Sequence, residues 1–203
     1  YDLITGEPPP PHGAGVVNLY TLEYFRLLRA RLAPGGIVTY WLPVHQLLAR
    51  DTQAIVGAFC GAFLDCSLWG GTGFDWMLVG TNGLAGPASE EGLGRPFRDP
   101  RVRAAMADVG LEVPEQIGAL FIGDAVFLRD LAGAQPPLVD DFPQRIMADA
   151  AHEAGAVPRA FYRQVMDARA ARERFARSRF AAGLWPEALR ERTLAYFEWQ
   201  HRI

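Results

Sequence analysis

Apolar and polar positions switch between two periods along the first 80 residues and keep to one period afterwards. Tyr1 to Thr5 is a short apolar run of strand character. Gly6-Glu7 and the four prolines Pro8 to Pro11 follow, and because each ring fixes φ and removes a donor, this stretch is an extended loop. Thr21 is the expected N-cap of a helix running to about Ala33, with Leu22, Phe25, Leu28 and Leu32 at helical spacing, and Pro34-Gly35-Gly36 ends it. Ile37 to Leu42 is a continuous apolar and β-branched run between Gly and Pro, the pattern of a buried strand. Asp51 is the expected cap of a second helix through about Leu64. Two strands, Cys66 to Trp69 and Asp75 to Thr81, flank the Gly70-Gly71-Thr72-Gly73 turn as a hairpin. This order predicts an open, mostly parallel α/β sheet that closes with an antiparallel strand.

After Asn82 a loop rich in Gly and Pro leads into helical patterns only, which divides the chain into a sheet region, 1–82, and a mainly helical extension, 83–203. Asp99-Pro100 and Val113-Pro114 read as helix starts, and Pro158 and Pro186 open two longer helices. Arg159 to Phe180 is amphipathic, with an Arg-rich face expected to be solvated. Tyr1 opens directly on a strand, so the expectation is a portion of a longer protein.

The chain has 203 residues, 50% hydrophobic and 21% charged, enough for a real core. A net charge of −3 gives no electrostatic footprint for nucleic acid or an anionic membrane surface. All 20 basic residues are Arg, a bias of composition and not a basic patch. Cys60 and Cys66 are too few and too irregularly set for a zinc ligand series or a disulfide scaffold, and Cys60 falls in a core pattern. No run approaches the roughly 18 apolar residues of a membrane span, and no signal-peptide pattern is present, which gives a cytoplasmic expectation.

Tyr1-Asp2-Leu3-Ile4-Thr5-Gly6-Glu7, the Pro run, Pro11-His12-Gly13, Leu19-Tyr20 and Pro34-Gly35-Gly36-Ile37-Val38 together resemble spermidine and spermine synthases, from the fourth strand through the active-site loop to the fifth. The likeness covers residues 1 to about 80 and returns at Leu138-Val139-Asp140-Asp141-Phe142-Pro143. It is nearest to bacterial spermidine-synthase-like proteins with a membrane-spanning segment ahead of the synthase domain, so the full-length protein is expected to be membrane-anchored. The resemblance implies the second half of a Rossmann-type, methyltransferase-like sheet. It also implies aminopropyl transfer from decarboxylated S-adenosylmethionine to a small polyamine-type amine, in a homodimer or larger assembly.

An amine with a pKa of about 10.4 is protonated at neutral pH and needs a carboxylate to take its proton before it attacks. The resemblance puts that base at Glu7. Tyr20, Trp41, His45, Gln46, Asp140 and Asp141 are the implied amine pocket, and Gly13 is the single cofactor contact the chain offers. Two positions depart from the family: Pro10 stands where it has a second Asp, and Trp41 where it has Gln. No Gly-x-Gly-x-x-Gly opens a helix, so the nucleoside-binding half is expected to be missing and the isolated chain inactive. A non-catalytic interaction module of the same fold and a Rossmann-type methyltransferase stay open as alternatives.

Overall fold

The computed structural model describes residues 1–13, 15–71, 75–141 and 159–200. Five strands form one open sheet in the order β1-β2-β4-β3-β5: β1 (Leu3–Gly6), β2 (Ile37–Leu42), β3 (Ser67–Gly70), β4 (Trp76–Thr81) and β5 (Phe121–Asp124). β1 and β2 are parallel, with Gly6 opposite Tyr40. β4 runs back between β2 and β3 and is antiparallel to both. β5 is antiparallel to β3. The sheet is therefore mixed, where a mostly parallel one was expected. A short hairpin from β3 lays β4 antiparallel between β3 and β2, and β5, reached through the helical stretch after Asn82, adds antiparallel to the outer side of β3.

β5 also corrects the purely helical reading of the residues after Asn82. The strand is only four residues long, with Phe121 and Ile122 its apolar pair, and periodicity alone does not separate so short a stretch from a buried helix segment.

Thr21 caps α1 (Leu22–Arg31) as expected, its hydroxyl accepting from the Tyr24 N–H. α2 (Ala49–Ala62) starts two residues before the expected cap, after Leu48, which leaves Asp51 inside its first turn. The helices α3 (Glu90–Arg98), α4 (Pro100–Asp108), α5 (Pro114–Gly118) and α6 (Ala125–Ala132) follow. The expected long helix from Arg159 is instead three, α7 (Arg159–Val165), α8 (Ala168–Arg177) and α9 (Arg179–Leu184). Asp167 and Ser178 cause the breaks, each accepting from a backbone N–H three residues on and restarting the helix. Pro186 precedes the short α10 (Glu187–Thr193), and α11 is Phe197–Gln200. Pro158, Phe142 and Pro143 lie outside the described residues.

Strand alternation sends side chains to two cores. Val38, Tyr40, Leu42, Leu68, Trp76, Leu78 and Ile122 pack with α1, α2 and α6 on one face. Trp69 and Phe121 pack with α8 and α9 on the other, where Met77 and Val79 also lie. The first core is built on edge-to-face rings, Tyr20 on Tyr40 at 5.7 Å, Phe25 on Tyr40 at 5.1 Å and Phe25 on Phe59 at 5.0 Å. Each such pair contributes about 0.5–1.5 kcal/mol beyond its buried area. On α8 the expected solvated face is broken at Arg174, whose guanidinium lies 4.0 Å over the Phe127 ring and donates to the Ile122 carbonyl.

Cys60, in the last turn of α2, and Cys66, just ahead of β3, form a disulfide, which the sequence spacing did not suggest. Among the described residues no helix is long and apolar enough to cross a membrane.

Candidate functional site

β1 and β2 end side by side, and their C-terminal ends carry the loops that matter. Glu7 is exposed one residue past β1. The Pro run behind it is anchored from below: the buried Tyr20 hydroxyl donates to the carbonyls of Pro8 (3.3 Å) and Pro9 (3.2 Å). Tyr40 fixes the next turn in the same way, donating to the Leu19 carbonyl at 2.6 Å. Burial pushes both phenols well above their usual range. They are structural posts under the loop, and Tyr20 has no exposed surface with which to line a pocket.

Gly13 is exposed and closes a turn, its carbonyl accepting from the Val16 N–H at 3.1 Å. Pro8 to Pro11 have no backbone N–H to offer a ligand.

Trp41 lies on the sheet face away from Tyr40 and Leu42, opposite Met77 in the β2–β4 register, and is half-buried. His45 and Gln46 stand on the short 3₁₀ turn after β2. There the Gln46 amide lies 2.8 Å from His45 Nε2, and His45 Nδ1 lies 3.3 Å from Asp75 Oδ1. Asp140 and Asp141 are exposed beside α1, where the Asp140 N–H donates to Glu23 Oε2 at 3.0 Å. Two backbone bonds hold that segment, Leu22 N–H to the Leu138 carbonyl and Leu138 N–H to the Ala54 carbonyl.

The sheet edge thus brings His45 and Gln46 together, while Tyr20 is committed beneath the Pro loop and Trp41 faces the other side. Asp75, just ahead of β4, and Asp51, in the first turn of α2, were not among the site residues expected from the sequence. Asp51 is 4% exposed. Burial raises its pKa, against the opposing pull of Arg50, the Leu48 backbone and His12. Tyr162 on α7 stacks on Trp76 at 5.5 Å and closes the edge above β4. A sequence signal existed only for Asp75, a charged residue between a Gly-rich turn and a buried strand. Among the described residues no group of three His, Cys, Asp or Glu side chains is arranged to hold a metal.

No family model matches the chain. No curated protein matches it. A crystal structure of a probable spermidine synthase from Corynebacterium glutamicum ATCC 13032 is similar, with a TM-score of 0.43 and 17% identity, over 70% of this chain and 48% of that one. This chain thus spans about half the length of that structure, and a likeness of this degree carries no functional inference.

Proposed function

We propose that this chain carries the amine-side half of a spermidine-synthase-like active site, built on the second half of a Rossmann-type sheet. In the reaction Glu7 takes a proton from the substrate ammonium. The freed nitrogen lone pair forms a bond to the methylene beside the sulfonium of decarboxylated S-adenosylmethionine, the carbon–sulfur bond breaks, and methylthioadenosine leaves with both of its electrons. The nucleoside is held by residues outside this chain.

One observation supports this most. Glu7 stands exposed at the C-terminal end of a strand, where open α/β sheets bind ligands, on a loop held by the Tyr20 hydroxyl. A general base needs that combination of access and fixed position. A second reading, a non-catalytic interaction module, is favoured by Trp41 facing away from Tyr40 and by β1, whose outer edge pairs with no strand among the described residues. The test is incubation of the full-length protein with decarboxylated S-adenosylmethionine and putrescine or spermidine. Methylthioadenosine release supports transfer, and none from either amine favours the interaction module.

A further inference from the structure

α11 carries Trp199, a large apolar residue that is 65% exposed. The Trp199 N–H donates to the Tyr196 carbonyl at 3.0 Å, so the two residues are three apart on one turn of helix, the spacing at which side chains are neighbours. Both line a groove of about 340 Å³, together with Gly110 and Glu112 from the α4–α5 turn and Gln116 from α5. Tyr196 is anchored by packing against the second core. Gln116, 7% exposed, fixes the facing turn. Its Oε1 accepts from the Glu112 and Val113 N–H groups at 2.6 and 3.0 Å, and its Nε2 donates to the Gly110 carbonyl at 3.2 Å.

The two acids at this turn differ. Glu115 is taken by Arg192, whose Nε lies 2.8 Å from its Oε1, whereas Glu112 is exposed and in no ion pair among the described residues. No basic residue lines the groove among the described residues. A carboxylate beside two aromatic rings suits a cation, because the ring faces are negative as well. Arginine meets both demands at once: its planar guanidinium stacks on an aromatic face and grips a carboxylate through two parallel N–H bonds, while an ammonium is a strongly hydrated point charge. Trp and Tyr are also enriched among the few residues that carry most of the energy at protein interfaces.

We infer that the groove of Tyr196, Trp199 and Glu112 receives an arginine side chain of a partner protein, with the guanidinium stacked on the Trp199 ring and paired with the Glu112 carboxylate. Neither Glu7 nor any other residue of the expected amine pocket lines this groove, so the inference stands apart from the transfer reading.

The test is NMR titration of the full-length protein with a capped Gly-Arg-Gly peptide, followed through the Gly110 and Ala195 amide resonances. The same peptide with lysine, or with citrulline as the neutral isostere of arginine, is the comparison. The arginine peptide is expected to shift both resonances to saturation, the lysine peptide to bind more weakly and the citrulline peptide to leave them in place. Glu112→Gln should weaken arginine binding about 10- to 100-fold, the size of a lost charge-assisted hydrogen bond. Trp199→Leu should weaken it about 2- to 5-fold, the size of an exposed cation–π contact. Both side chains are exposed, so neither change should move the thermal midpoint. No binding of the arginine peptide to the wild type, equal binding of the citrulline peptide, or an affinity unchanged in Glu112→Gln overturns the inference. Methylthioadenosine release by the full-length protein bears on the transfer reading alone, so the failure of one is told from the failure of the other.

Discussion

Gly6 and Tyr40 face each other across β1 and β2, and the Tyr40 ring fills the space a side chain at Gly6 would need: a Cβ there would stand 2.5 Å from Cε2. The ring has nowhere to go. Tyr20, Tyr24 and Phe25 surround it, and its hydroxyl is bonded to the Leu19 carbonyl. Gly6→Ala should therefore cost about 1–3 kcal/mol, the usual price of overpacking a tight core. Urea unfolding of the variant beside the wild type checks this, and equal midpoints at equal slope would show that the ring yields. Glu7 is the next residue, so the same clash sets where the candidate base begins.

The Cys60–Cys66 bridge ties the end of α2 to the start of β3. Closing so short a loop in the unfolded chain is worth about 2 kcal/mol in the chain-entropy model. Cys60→Ser with Cys66→Ser should lower the thermal midpoint, and reductant should lower the wild type to the same value. Thiol titration in denaturant should find no free thiol before reduction. Two reactive thiols there would contradict the bridge.

Asp51 gives a pH signature. The unfolded chain loses this proton near the ordinary value of 3.8, while burial makes the folded chain hold it to higher pH. Below both values the group makes no difference to stability. As pH rises above 3.8 the unfolded state is favoured, until the folded carboxyl has ionised too and the loss levels off. Asp51→Asn removes the penalty, so its urea stability should exceed that of the wild type at pH 7, with the gap closing below the ordinary carboxyl value. A gap that stays constant over that range would mean that burial does not govern this carboxyl.

Much of the frame was legible because local rules and tertiary needs agreed. The Thr21 cap, the β2 run from Ile37 to Leu42 and the hairpin around Gly70-Gly71 are set by side-chain chemistry next to the backbone it directs. Asp51 misled because an acid near a helix start reads as a cap whether it stands at the boundary or a turn inside it. The direction of β4 and the return of β5 depend on packing between distant segments, which periodicity does not carry. At the candidate site, Tyr20 was read as a pocket residue because a motif gives position along the chain and not the face on which a ring is buried. The His45–Asp75 pair joins two loops that only the β2–β4 register brings together.

Glu7→Gln in the full-length protein is the most direct test of the proposed chemistry. Gln keeps the shape and polarity of the side chain and removes the proton acceptor. With decarboxylated S-adenosylmethionine and spermidine as substrates, kcat should fall by about 10²- to 10⁴-fold, the range of a general-base contribution, while affinity for the nucleoside stays as it was. An unchanged kcat would contradict the role of Glu7 as base and leave the exposed acid after β1 as a solvated loop residue.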